Sequence, residues 1–295
     1  MSAVSRSAVA LAASILVVCA SPCAGVAHAQ TPPPAPADAD GYGISLAQPD
    51  FGLAALPTSL RIPQGRFAFR MSHRFSRPIA GTCPDEGPKP EGCGGLGAFV
   101  ENFFGFDSSS KVGLEVRYGI LPGTQLALQR TNDRAMQVLA QHQVFRSASQ
   151  PMTVDVLAAI EGQNNFRETH TLTAGAVVTY LATDRGALYA HPVLLFNSNP
   201  DSDNETDDNH TVMLGFGGRV RIGSKMYLVA EAAPRLAGFK PGVDHISFGF
   251  EHRAGGHLFQ LNVSNSFGST LRQVALGGPG NGDWFIGFNL SRRFY

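Results

Sequence analysis

The feature that most constrains the fold is a repeated segment in which apolar and polar side chains alternate. Because successive side chains of a β-strand point to opposite faces, such a segment forms a strand with one apolar and one polar face. The chain contains about twelve of these segments, most of them close to the ~10 residues that cross a membrane as a tilted strand. They are 65–77, 111–120, 125–130, 135–146, 152–161, 171–181, 187–196, 211–222, 226–235, 245–253, 257–266 and 283–295.

The first segment, 65–77, indicates what each face contacts. Phe67 and Phe69 begin its apolar face, whereas Arg66, Arg70 and Arg74 share the opposite face. Unpaired charge is very costly in the core of a soluble β-sandwich. The same arginines cost little where they face a water-filled lumen, with the phenylalanines facing lipid. The segment therefore favours a membrane barrel over a sandwich.

The connections between the segments alternate in length, which is typical of outer-membrane barrels with short periplasmic turns and longer external loops. A sandwich has no reason to alternate its connections in this way. The sequence therefore predicts an all-β protein, an antiparallel transmembrane β-barrel of about 12 strands with both termini in the periplasm. The tight connections are 121–124, 147–151, 183–186, 223–225 and 254–256, and the others are 78–108, 162–170, 197–210, 237–244, 267–282 and the short exception 131–134.

The last segment, 283–295, resembles the C-terminal insertion signal of bacterial outer-membrane barrels, in which alternating apolar residues end in an aromatic one. The usual signal ends on the aromatic of the apolar face, whereas here Tyr295 follows that residue, and Arg292 interrupts the face close enough to the end to reach the headgroups. The resemblance implies that barrel-assembly machinery is a partner during insertion. The residues assigned to the signal are Trp284, Ile286, Phe288, Leu290, Phe294 and Tyr295.

The N-terminal region predicts export. Arg6 precedes an apolar run at 8–20, and Ala27, His28 and Ala29 form a small-x-small cleavage site. Residues 1–29 are therefore predicted to be a cleaved signal peptide, too short to span a membrane. The proline-rich stretch that follows predicts a periplasmic linker and N-terminal segment over 30–60, of which 51–60 packs either against the barrel or into it. The barrel domain is then 61–295, in the outer membrane.

Short motifs resemble those of an uncharacterised family of bacterial outer-membrane β-barrel proteins, a domain of unknown function. The motifs are M-S-H-R-F at 71–75, F-G-F-D at 104–107, G-L-E-V-R-Y-G-I at 113–120 and Q-R-T at 129–131. Members typically carry F-G-L-D before the second strand, and Phe106 stands in place of the leucine here. The resemblance covers most of the mature chain. It implies an outer-membrane barrel and implies no activity.

The polar faces of the predicted strands carry many charges, which allow two interpretations. A network of ion pairs would fill and stiffen a narrow barrel. Alternatively, a surplus of basic groups along a water-filled path would favour anions, because rings of charge determine pore selectivity. The basic residues assigned to the lumen are Arg66, Arg70, Arg74, Lys111, Arg117, Arg219 and Arg221, and the acidic ones are Glu115, Asp155, Glu161, Glu231 and Glu251.

The predicted external loops carry three further features. Cys83 and Cys93 flank a proline- and glycine-rich stretch, which in an oxidising compartment indicates a disulfide. The apolar stretch 98–106 is predicted to cover the barrel mouth, to fold inward as a constriction, or to pack on the rim. Residues 199–209 alternate acidic side chains as in a calcium loop but lack its glycine and terminal glutamate. A solvated acidic loop is preferred there, with contact to divalent ions among lipopolysaccharide phosphates as the alternative.

We expect Cys83→Ser to leave a folded barrel. The disulfide would close a small loop, and such a closure removes at most about 2–3 kcal/mol of unfolded-state entropy. The variant should therefore migrate as a heat-modifiable barrel on a gel and loosen only the loop. Loss of the barrel from the membrane fraction would contradict this placement of the cysteines.

The remaining residues indicate no chemistry. With 23 basic and 23 acidic residues the formal charge is zero, so nothing suggests a nucleic-acid partner, and no cofactor or metal ligand set is recognisable. His73 is the candidate base of a lipid-acting enzyme, but no serine–histidine–acid spacing accompanies it, and a histidine between aromatics is usually interfacial. The preferred functions are a narrow passive channel or a structural barrel surrounded by outer-membrane lipid and lipopolysaccharide. An adhesion barrel that binds through its external loops is the alternative, and a lipid-acting enzyme is the third.

Overall fold

The computed structural model describes residues 47–80, 96–97, 100, 110–147, 151–200, 208–280 and 282–295. Within them the chain forms a closed antiparallel β-barrel, as the alternating segments predict. The strands are β1 Phe67–Ala80, β2 Ser110–Leu121, β3 Thr124–Thr131, β4 Met136–Arg146, β5 Met152–Gly162, β6 His170–Leu181, β7 Gly186–Phe196, β8 Thr211–Arg221, β9 Met226–Ala233, β10 Arg235–Gly238, β11 His245–Ala254, β12 His257–Ser264 and β13 Trp284–Arg293.

β9 and β10 are two parts of one interrupted strand, so the wall of the barrel contains twelve strands. β9 and β10 lie on either side of Pro234, and both pair with β8. Proline has no N–H to donate to the ladder, and the strand is interrupted there. The prediction of a single strand over 226–235 is therefore wrong at its end, because the proline divides it.

The barrel closes through the first and last strands. β1 pairs with β2 on one side and with β13 on the other, and the register places Met71 beside Leu290. Closure leaves every strand with a neighbour on both sides and so removes the exposed sheet edges on which other chains could pair. The end of the barrel at which β1 begins and β13 ends is called the terminal end below, and the other is the opposite end.

The two faces of the wall follow the predicted alternation. On β2, Leu114, Val116 and Tyr118 are exposed on the outside, whereas Glu115 and Arg117 are buried inside. The outer face is therefore apolar, as contact with lipid requires, and the inner face of β2 is polar. On other strands the inner face also carries apolar residues, such as Leu139 and Val177, which form a buried cluster with Leu53 and Leu56 of the segment before β1. Among the residues that the structure describes, no helix has the length and apolarity needed to cross a membrane.

The residues before β1 fold back into the barrel. This N-terminal hairpin, residues 47–62, makes an antiparallel bridge between Gly52 and Pro57, and the N–H of Leu53 donates to the Leu56 carbonyl at 2.8 Å. Its turn lies deep in the lumen, and its end reaches the wall at Gly119. Of the two positions that the sequence allows for 51–60, the structure therefore has the inner one, and residues 47–60 are not a free linker.

A short helix, α1 Leu271–Leu276, belongs to the connection between β12 and β13 and is turned inward at the opposite end. Thr270 caps it, because its hydroxyl accepts a hydrogen bond from the N–H of Gln273. Leu271 and Val274 are buried, and the Leu271 N–H donates to the Gln137 side chain on β4 at 3.0 Å. The described part of the lumen is thus occupied from both ends.

Candidate functional site

The turn of the hairpin is held by one carboxylate on β9. The backbone N–H groups of Ala54, Ala55 and Leu56 donate to the two carboxylate oxygens of Glu231 at 3.1, 2.8 and 3.1 Å. His245 on β11 contacts the same carboxylate through Nε2 at 2.8 Å. Hydrogen bonds to an ionised acceptor are roughly twice as strong as neutral ones. Glu231 is therefore the principal acceptor that keeps the turn in the lumen.

The carbonyl side of the same turn is held by donors on β1 and β13. Arg70 donates to Ala54 O at 2.9 Å and also to Leu53 O. Arg74 donates to Ala54 O at 3.1 Å, and the Asn289 amide donates to it at 3.0 Å. Three donors thus converge on one carbonyl oxygen, opposite the carboxylate that receives the N–H groups.

A buried ion pair holds the first arm of the hairpin. Arg219 on β8 donates to both carboxylate oxygens of Glu251 on β11 at 2.8 Å, and both side chains are 0% exposed. The same guanidinium donates to the Gly52 carbonyl at 2.6 Å. Nearer the terminal end, the Ser291 hydroxyl donates to the Asp50 carboxylate at 2.7 Å.

Neutral side chains hold the second arm. His191 contacts the Pro57 carbonyl at 2.7 Å, and Gln141 donates to the Thr58 carbonyl at 2.8 Å. The Gln125 side chain accepts from the N–H of Ile62 at 3.1 Å. The buried polar groups of the hairpin backbone are thereby paired with the wall, as burial demands.

Glycines on β8 make room for the leucines of the turn. A Cβ on Gly217 would lie 2.2 Å from Leu53 Cδ1, and one on Gly215 would lie 3.0 Å from Leu56 Cδ1. β8 continues through these glycines, and their missing side chains provide the space for the two leucines.

The C-terminal residue also contacts the hairpin. Tyr295 packs on the buried cluster of Phe51, Ile62 and Ala68. Phe294 lies on the outside and stacks on Phe67, with the ring centroids 4.5 Å apart. The Arg117 guanidinium lies over the Phe51 ring, 4.7 Å from its centroid. Phe294 therefore occupies the outer position that the insertion signal favours. Tyr295 does not belong to that outer face, which explains its departure from the usual pattern.

Three of the predicted lumen cations lie at the rims. Arg66 precedes β1 and is exposed, and Arg221 is half-buried, donating to backbone carbonyls of the β8–β9 turn. Lys111 forms an exposed ion pair with Asp133 at 3.1 Å. Burial alone would raise the pKa of the Asp133 carboxyl, but hydrogen bonds from Thr131 and Lys111 outweigh it and lower that pKa. Placing these cations inside the lumen is wrong, because at strand ends their long side chains reach water.

The other predicted lumen residues are buried, and their partners are mixed. Arg117 pairs with Glu115 at 2.7 Å, and Glu161 lies 3.9 Å from Arg272 of α1. Asp155 accepts from Gln141 at 2.6 Å. Ion pairs are thus one part of the interior, and contacts with the hairpin backbone are another. The predicted set omitted Gln125, His191, His245 and Asn289, although each lies on the inner face of its segment and the alternation alone could have identified it.

The fold also assembles a serine, a histidine and a glutamate that no sequence spacing suggests. Ser266 Oγ lies 2.5 Å from His245 Nδ1, and His245 Nε2 lies 2.8 Å from Glu231. Ser266 is 0% exposed, and Glu231 is already bonded to the turn of the hairpin. In this structure the serine is therefore closed off from solvent. His73, the candidate base, lies on the outer face and stacks on Phe288, with the ring centroids 4.8 Å apart.

A small cavity lies beside the turn. A cavity of about 10 Å³ lies between Ala55, Arg70, Glu115 and Ser269, which is roughly the room that one water requires. Among the described residues no group of histidine, cysteine, aspartate and glutamate side chains could hold a metal ion. The predicted disulfide, the stretch 98–106 and the centre of the acidic loop 199–209 lie essentially outside the described residues.

Comparison with solved structures supports the barrel fold. The NanC porin in its rhombohedral crystal form is similar with a TM-score of 0.52 and 9% identity, over 77% of this chain and 100% of that one. Two engineered variants of a porin from Rhodopseudomonas blastica are more distant, each with a TM-score of 0.35, over 62% of this chain and 55% of theirs. Their identities to this chain are 14% and 13%.

No protein with curated annotation matches the chain. A family model described as a membrane-bound beta barrel domain, DUF5777, matches residues 52–294. The match covers the strands of the barrel and most of the hairpin that fills it. The chain therefore belongs to the DUF5777 family of membrane-bound β-barrels.

Proposed function

We propose that this outer-membrane barrel is a gated channel for small polar solutes, closed by the N-terminal hairpin and open when the hairpin leaves the lumen. The observation that carries the proposal is the way the hairpin is bound. It is not a strand of the sheet, and side chains of the wall hold its backbone through non-covalent contacts at Glu231, Arg70 and Arg219. Such contacts can be broken without unfolding the wall.

The size and polarity of the lumen support this proposal. Barrels of about eight strands are filled by their own side chains, and those of about sixteen or more enclose aqueous channels. A twelve-stranded wall lies between these limits, and here a segment outside the sheet occupies the space. The exposed inner face would carry arginine, glutamine, serine and threonine side chains, which water wets readily, beside an apolar patch that includes Leu139, Val177 and Met213.

The proposed topology places the terminal end in the periplasm, after export through the signal peptide at 1–29. The hairpin then enters from the periplasmic side. The proposal includes no enzymatic step: Ser266 is buried, and its histidine contacts the carboxylate that binds the turn.

The closed lumen also favours a second candidate, a structural or surface-binding barrel that acts through its external loops and never conducts. The hairpin fills the interior at the level of Ala54, and α1 covers the opposite end. If the hairpin never leaves the lumen, these contacts serve only to fill and stabilise the barrel. Conductance distinguishes the two candidates.

The test is planar-bilayer conductance of the full chain with two glycines of β8 replaced. In Gly215→Val/Gly217→Val the added side chains occupy the space of Leu56 and Leu53, and overpacking costs about 1–3 kcal/mol at each position. The hairpin should dock less often, and the time spent open should rise at least about tenfold over wild type.

Gly218→Val is the matched control. A Cβ at this neighbouring position meets Leu188 Cδ2 at an ordinary 3.5 Å and does not touch the hairpin. It should conduct like the wild-type protein. If the double variant inserts as a heat-modifiable barrel and still shows no conductance, the channel proposal fails and the structural or surface-binding barrel is favoured.

A further inference from the structure

The two cations that contact the turn of the hairpin are buried, and their partners differ from those of Arg117 and Arg219. Arg117 pairs with Glu115, Arg219 with Glu251, and Arg235 with Asp244. Neither Arg70 nor Arg74 belongs to any ion pair formed among the residues that the structure describes. Their relative exposures are only 6% and 2%. Buried charge without a counter-charge is costly.

Both guanidinium groups contact a neutral carbonyl oxygen in a position where an anion could bind. Both donate to Ala54 O, to which Asn289 also donates, so a single carbonyl oxygen receives hydrogen bonds from three side chains. Arg74 is oriented in turn by the Asn289 side-chain oxygen at 2.9 Å. Donors that converge on one oxygen and carry two positive charges match an oxyanion better than they match an amide carbonyl.

We propose that Arg70, Arg74 and Asn289 form a binding site for an oxyanion, a carboxylate or phosphate group of a solute, which the carbonyl of Ala54 occupies in the closed barrel. The space beside the turn holds about one water, so the anion and the docked hairpin exclude each other. An anion that binds only the open form stabilises that form. The inference rests on the proposed function and adds two points to it: the solute carries an oxyanion, and binding of that oxyanion favours the open barrel.

The position of the two arginines supports the same conclusion. They lie four residues apart on the inner face of β1, and Asn289 lies on the adjacent β13, where its register partner is Ser72. The donors therefore belong to two hydrogen-bonded strands of the wall, and withdrawal of the hairpin leaves them in place. Rigid strands hold such a site more precisely than loops do.

The test is hydrogen exchange of the full chain in lipid, with inorganic phosphate as the probe. The amides of Ala54, Ala55 and Leu56 are protected while they donate to Glu231. In sodium phosphate they should exchange about tenfold faster than in sodium chloride of equal ionic strength and pH, once phosphate exceeds the dissociation constant of the free site about tenfold. Sodium acetate in a third sample tests whether a carboxylate acts in the same way.

Arg74→Gln should abolish the difference in amide exchange rate between phosphate and chloride, even if the variant loosens the hairpin in both salts. Arg70→Gln is the second variant should Arg74→Gln fail to insert. Arg117→Gln is the matched control, because Arg117 also touches the hairpin, over Phe51, but has Glu115 as its counter-charge. It should keep the response to phosphate.

The anion site is refuted if wild-type exchange is the same in both salts, or if Arg74→Gln and Arg70→Gln respond like wild type. Its failure is distinguishable from that of the channel. Conductance in Gly215→Val/Gly217→Val without any phosphate effect would remove the anion site and keep the channel. A phosphate effect without conductance in that variant would keep the site and remove the channel.

Discussion

Glu231→Gln is expected to release the N-terminal hairpin from the lumen. The carboxylate accepts three backbone N–H groups of the turn, whereas the amide that replaces it offers one acceptor oxygen and directs an NH₂ group at N–H donors. Hydrogen bonds to charged groups contribute about 1.5–3 kcal/mol each, and they are not additive here because they share one acceptor. A loss of about 3 kcal/mol in docking free energy corresponds to roughly a hundredfold change in the equilibrium.

The measurement is hydrogen exchange of the amides at 54–56, which should become about a hundredfold faster while the strands remain protected. Glu115→Gln provides the matched comparison, since Glu115 is also a glutamate of the inner wall but pairs with Arg117 and not with the hairpin backbone. It should change the exchange of these amides far less. Unchanged protection in a folded Glu231→Gln barrel would contradict the central role of this carboxylate.

Arg219→Leu should destabilise the whole barrel by about 3–5 kcal/mol, because it leaves the carboxylate of Glu251 buried without its counter-charge. Both members of this pair are fully buried, and among the described residues Gln260, at 2.7 Å, would remain as the donor to Glu251. The free energy of unfolding in urea, measured with protein inserted in lipid vesicles, gives the value.

Arg219→Leu/Glu251→Leu should recover most of that loss, because no charge is then stranded. The hairpin should nevertheless stay loosened in the double variant, since the hydrogen bond from Arg219 to Gly52 O is absent from it. Lys111→Ala, at an exposed pair, should cost no more than about 1 kcal/mol. A double variant as unstable as the sum of its single changes would show that the two residues stabilise the barrel independently.

Both predictions concern the same physical arrangement. Charges of the inner wall are compensated in part by one another and in part by the peptide groups of the hairpin. Glu231 accepts hydrogen bonds from the N–H groups of the turn, and Arg70 and Arg74 donate to its carbonyl groups. The wall therefore recognises a backbone conformation, and substitutions on the wall should affect docking even when the hairpin sequence is unchanged.

The strands of the wall could be predicted from local patterns in the sequence. Alternation with a period of two is a local property, and it placed all twelve strands, the outer residues such as Leu114 and the inner ones such as Arg117. Even the interruption at Pro234 has a local cause, because proline lacks the N–H that a ladder requires. Link lengths then distinguished the two ends of the barrel, since turns and loops are also local features.

The segment that fills the lumen could be identified only from three-dimensional contacts. Residues 47–62 have no strand periodicity, and their apolar side chains are compatible with packing inside or outside the barrel. Their position depends on partners far along the chain, such as Glu231 for the turn and Gly217 for Leu53. The same applies to Ser266, His245 and Glu231, and to Tyr295, whose neighbour Phe51 lies at the other end of the chain. Contacts of this kind form only when the barrel closes, so no local pattern encodes them.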